Sequence, residues 1–69
     1  MSKSELDLVI VIPVFNEEDV ILEVVKQWLK VINKIKANLL VINDGSTDNT
    51  LKLLGLVSSK KLKVINIKN

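Results

Sequence analysis

The sequence predicts an α/β fold in which strands and helices alternate, strand–helix–strand–helix–strand, around a parallel sheet. Three observations predict it. Two short apolar runs, Leu8 to Ile12 and Leu39 to Asn43, are continuous rather than alternating. Runs of that kind suit parallel strands covered on both faces. The segment between them carries apolar residues at helical spacing. The connections are short, so the pattern resolves into two successive βαβ units with right-handed crossovers.

Each element follows from its residues. The first strand is a leucine and β-branched run, and Pro13, which has no amide for a ladder, marks its end. Asn16 is the predicted N-cap of the first helix. Glu17, Glu18 and Asp19 then stand where the helix dipole favours acids, and Phe15 and Val20 stand at the positions of a hydrophobic staple. The helix is expected to run to about Ile32. Its buried face is expected to carry Ile21, Val24, Val25, Trp28 and Ile32, with Trp28 in the core and Asn33-Lys34 closing the helix.

The second strand ends on Asn43-Asp44. Ser46 is the predicted N-cap of a second helix, with Thr47, Asp48 and Asn49 in its first turn and Leu51, Leu54 and Val57 on its buried face. Gly55 weakens that helix by about 1 kcal/mol relative to alanine and favours an early end. Leu62 to Ile67 is a third strand, interrupted by polar residues and so nearer an edge. If the sheet grows in one direction, both helices fall on one face. The other face is then bare, although the strands read as buried on both sides. Either further chain or a second copy is expected to cover it.

Sixty-nine residues make at most one small domain, and residues 1–69 are expected to be a single partial one. A chain of this size buries only about 60% of its unfolded surface. There is no cysteine and no histidine, which removes disulfides, thiolate metal sites and the usual general acid–base residue. The basic residues are ten lysines without arginine, spread along the chain. Nucleic acid is therefore not an expected partner. The polar start, Met1-Ser2-Lys3-Ser4-Glu5, and the charge at Asp7 fit neither a signal peptide nor a membrane span, which favours a cytoplasmic location.

The chemistry is expected at the rim formed by the strand C-termini, where open α/β sheets bind ligands. Asp44 ends the second strand on a carboxylate, suited to a nucleobase N–H or a ribose hydroxyl. Asn16 and Glu17 add polar groups from the neighbouring strand end, and Phe15 offers a flat surface for a base. The competing reading is that these residues only cap the two helices. Two polar strand ends meeting on one edge favour a ligand. The turn Pro13-Val14-Phe15-Asn16 lacks the glycines of a dinucleotide-binding or Walker loop. The expected ligand part is therefore the base and ribose, with the phosphates held elsewhere.

Two motifs carry a resemblance. Val11-Ile12-Pro13-Val14-Phe15-Asn16-Glu17-Glu18 and, one helix and one strand later, Val41-Ile42-Asn43-Asp44-Gly45-Ser46-Thr47-Asp48-Asn49-Thr50 resemble the N-terminus of family 2 glycosyltransferases. The closest likeness is to the dolichyl- or polyprenyl-phosphate sugar transferases. The resemblance implies a partial GT-A fold, a Rossmann-like three-layer sandwich that binds a nucleotide-diphospho-sugar, UDP- or GDP-linked. It implies that Pro13, Phe15, Glu17 and Asp44 line the nucleoside pocket. Asn43 stands where the family often has a first acid, and Phe15 lacks the hydroxyl of the common tyrosine. The family's Asp-x-Asp motif, which carries Mg²⁺ or Mn²⁺, and its catalytic base lie later in the chain. The segment is therefore expected to hold no metal and no catalytic residue, and to be inactive alone.

Two other readings compete. One is a stand-alone nucleotide-binding or oligomerising module, self-associated through the bare sheet face. The other is a receiver-type signalling domain, which needs a phosphoacceptor Asp and a Lys on later strands.

Overall fold

The computed structural model describes residues 8–68. The expectations placed on Met1 to Glu5 and on Asp7 lie outside the described residues. The element order is β1 (Leu8–Val14), α1 (Ile21–Ile32), β2 (Ala37–Asp44), α2 (Thr50–Leu54) and β3 (Leu62–Ile67). The three strands form one parallel sheet in the order β1-β2-β3. This is the β-α-β-α-β arrangement of a partial Rossmann-like GT-A fold.

Alternation along β2 shows how the sheet is covered. Ala37, Leu39, Val41 and Asn43 are buried, while Asn38 and Asp44 are exposed and Leu40 and Ile42 half-buried. The buried side packs on Ile21, Val25 and Ile32 of α1 and Leu54 of α2, joined by Val14 and the half-buried Ile10, Ile12, Leu62 and Val64. Both helices therefore lie on one face. The described residues supply two of a sandwich's three layers. Across the open face run Val9, Val11, Leu40, Ile42, Ile65 and Ile67, the register pairing Val11 with Leu40 and Ile42 with Ile65. Val11 is 50% exposed and Ile65 41%. The strands read as doubly buried because their outer side chains are as apolar as their inner ones.

Four details differ from the sequence reading. β1 and β2 run further than their apolar cores: Pro13 lies inside β1, tolerated in a strand with one neighbour. α1 starts at Ile21, after a turn in which Val20 and Ile21 donate to the Glu17 carbonyl. Asn16 is thus not its N-cap, the three acids precede the helix, and the Phe15–Val20 staple does not form, both rings and methyls being exposed. The stripe of α1 is also rotated. Trp28 is 37% exposed, and Leu29 packs on the core in its place. α2 begins at Thr50 rather than after Ser46, and buries Thr50 and Leu54 while Leu51 faces out. It ends where Gly55 stands, as expected. Gly55 does so with an ordinary right-handed φ of −66°, not through left-handed freedom.

Candidate functional site

The two strand-to-helix loops meet at the C-terminal rim, and each supplies what the other lacks. A helix N-terminus leaves amides without intrahelical partners. Neither α1 nor α2 has a side-chain cap of its own from Val20 or Asn49. The first amide of each helix is held within its own loop, Ile21 by the Glu17 carbonyl and Thr50 by Asp48, and the loop amides just before them are held by the opposite loop. The amides of Asn16, Glu17 and Glu18 donate to Ser46 Oγ (2.9 Å), Thr50 Oγ1 (2.8 Å) and Asp48 Oδ2 (3.2 Å). In return, the amides of Thr47 and Asp48 donate to Asn16 Oδ1 (2.7 and 3.3 Å), and that of Asn49 to Glu18 Oε1 (3.1 Å). Asn16 adopts the left-handed backbone, φ 51°, which asparagine tolerates better than most residues. Gly45 takes φ 71° just after Asp44, as a sharp turn off the strand requires.

Asp48 is the hub of the second loop. Its carboxylate also accepts from the amide of Thr50 (2.9 Å) and from the Thr50 hydroxyl. Desolvation works to raise its pKa, but these bonds from Thr50 and the Glu18 amide outweigh it and hold the carboxyl below its ordinary 3.8. The third strand is tied in through Asn43, only 1% exposed. The Ser46 hydroxyl donates to Asn43 Oδ1, and Asn43 Nδ2 donates to Asn66 Oδ1 at 2.8 Å. Both ends of the Asn43 amide are thus occupied within the protein. Asn43 braces the rim; it does not offer a ligand group.

The four residues singled out from the sequence reach this rim by different routes. Val14 and Asn43 are register partners, and Phe15 and Asp44 follow them directly. Pro13 and Asp44 belong to the open-face side of their strands by alternation. Glu17 lies in the turn before α1, its backbone engaged with Thr50 and its carboxylate exposed. Among the described residues, no hydrogen bond or ion pair engages the carboxylates of Glu17 or Asp44. Phe15 is 54% exposed. A groove of about 550 Å³ opens beside it, bounded by Gly45, Ser46, Thr47 and Leu51 and, from β3, by Asn66, Ile67 and Lys68. Pro13, Glu17 and Asp44 do not line that groove. The end of β3 is the wall that the sequence reading missed. A third parallel strand ending at the same rim was the available signal.

Among the described residues, no group of three or more acidic, histidine or cysteine side chains converges as a metal site. None of the described helices is long and apolar enough to cross a membrane.

A parallel α/β unit with a polar rim at its strand C-termini is the class that fold and site define. The comparisons with known proteins narrow it. The family model for glycosyl transferase family 2 matches residues 9–69. A glycosyltransferase of Synechocystis, described as uncharacterised, is 38% identical over 66 residues, covering 90% of this chain and 21% of its own length. An uncharacterised protein of Methanocaldococcus jannaschii is 38% identical over 63 residues, with 90% of this chain and 26% of its own length covered. An uncharacterised glycosyltransferase of Bacillus subtilis is 33% identical over 76 residues, with 99% and 23% covered. No solved structure matches significantly. The chain belongs to glycosyl transferase family 2. It spans between a fifth and about a quarter of the length of these curated relatives.

Proposed function

We propose that this segment holds the nucleoside part of a nucleotide-sugar donor for a family 2 glycosyltransferase. The observation that carries the reading is a division of labour at the rim. The loop amides are engaged with the opposite loop, while the carboxylates of Glu17 and Asp44 and the ring of Phe15 stay free. A base stacks on Phe15. Asp44 accepts from a base N–H or a ribose hydroxyl, Glu17 offers a second acceptor, and Pro13 supplies an apolar wall. The loop amides that a phosphate would meet at this rim are engaged with the opposite loop, so the diphosphate is assigned to other residues.

The whole enzyme's reaction belongs to the same proposal: sugar transfer from a UDP- or GDP-linked donor, on the cytoplasmic side, with a polyprenyl phosphate as acceptor on the strength of the two motifs. Mg²⁺ or Mn²⁺ would neutralise the departing diphosphate. The described residues do not fit such an ion, and no step runs through one on this segment. Alone, the segment binds without catalysing. The bare sheet face supports a second reading, an α/β module that pairs with a copy of itself through Val11, Ile65 and their neighbours.

The experiment is an amide NMR titration of the chain with UDP and with GDP. Shifts at Phe15, Glu17 and Asp44 with one nucleotide are expected and identify the base. Asp44→Asn should weaken that binding about tenfold or more, the value of a charged hydrogen bond. Shifts absent from the rim with both nucleotides overturn the reading.

A further inference from the structure

We infer that Asn16, Asp48 and Thr50 are positioning residues of this site, fixing the gap between its two walls by acting through the loops they hold. The inference rests on the nucleoside reading above. One wall is Phe15 and Glu17, which flank Asn16. The other is Asp44, two residues before Ser46. The ladder sets Phe15 and Asp44, which follow the register pair Val14–Asn43, but Glu17 lies three residues past the end of β1 and no strand bond fixes its distance from Asp44. The link is the exchange of amides between the loops. Asn16 Oδ1 takes two of them at once, from Thr47 and Asp48. Its Nδ2 adds a bond of 3.3 Å to Thr47 Oγ1.

Thr50 is fully buried and receives the Glu17 amide, so α2 itself grips the loop that leads into α1. Asp48 receives the next amide along, that of Glu18. Loss of this exchange frees Glu17 and the loop of residues 46–49 together. A ligand would then have to order them, and that ordering is subtracted from its affinity.

The test is the same titration on three variants of the full chain. Asn16→Gly keeps the left-handed backbone comfortable and removes the side-chain amide. Asp48→Asn keeps the side-chain shape and removes the charge. Ile32→Val loosens the core far from the rim and controls for lost stability. Asn16→Gly is expected to weaken nucleotide binding about tenfold, with Val25, Leu39 and Val41 amides unshifted and hydrogen exchange accelerated at Thr47 and Asp48. Ile32→Val is expected to bind as the parent does. Unchanged affinity in Asn16→Gly, or an equal loss in Ile32→Val, overturns the positioning role and leaves the nucleoside reading standing. A parent chain that binds neither nucleotide overturns both. If Asn16→Gly does not fold, Asp48→Asn decides in the same way: weaker binding supports the inference, and parental binding overturns it.

Discussion

Asp48 shows how one side chain ties local chemistry to the site. Ionised, its carboxylate accepts on both oxygens and donates nothing, and in the fold it serves the amides of Glu18 and Thr50 together. Because its pKa is lowered on folding, its contribution is complete above the unfolded value of 3.8 and is lost as pH falls through the lower folded value. The Thr50 amide should therefore keep its neutral-pH chemical shift down to about pH 3.8 and move only in more acid solution. An NMR pH titration checks this, and a shift that titrates above that value contradicts it. Asn16 and Ser46 carry a second lesson of the same scale. Both were read as N-caps of the helices that follow them. Both are capping residues in chemistry, but each serves the other loop. Sequence spacing reveals that an oxygen is available to free amides; it does not reveal which amides lie nearest in space.

At the scale of elements, α1 separates what the pattern determines from what packing decides. Its existence and its end near Ile32 follow from helical periodicity. Its phase does not. Trp28 and Leu29 are neighbours on the helix, both apolar, and either completes a stripe with Val25 and Ile32. The structure gives the core to Leu29 and leaves the larger Trp28 at the margin. Ile32→Ala should accordingly cost about 3 kcal/mol through the cavity it opens, enough to unfold so small a domain. Trp28→Ala should cost about 1 kcal/mol, since much of the ring never leaves water. Urea denaturation followed by circular dichroism measures both, and a Trp28 loss exceeding that of Ile32 would contradict the packing. The strands were the most legible elements because their register needs only the apolar runs. The starts of the helices were the least, since long-range bonds set them.

At the largest scale, the described residues form a two-layer body with one face of the sheet covered by helices and one apolar face turned to water. On the module reading, that face pairs two copies. Sedimentation velocity should then show a coefficient that rises with protein concentration, and Val11→Lys with Ile65→Lys should abolish the rise. Both residues are outward-facing, so the substitutions should leave folding within about 0.5 kcal/mol. A concentration-independent coefficient in the parent chain would sink the self-association. A bare face was expected on the condition that the sheet grows in one direction, and the order β1-β2-β3 meets that condition. That β3 lends Asn66, Ile67 and Lys68 to the rim groove was missed, although a third parallel strand ends at the same rim, because its polar residues read only as the mark of an edge.

The bonds that join the two loops also set a timetable. Each spans 30 to 33 residues of chain. Closing so long a loop costs entropy before any bond is returned. β1, α1 and β2 must already be docked before Asn16 can meet Thr47, so the rim is completed late in folding. During synthesis, Asn16 emerges long before Thr50 exists to receive its neighbour. Lesions in this network should accordingly hasten unfolding and leave the rate of folding nearly untouched.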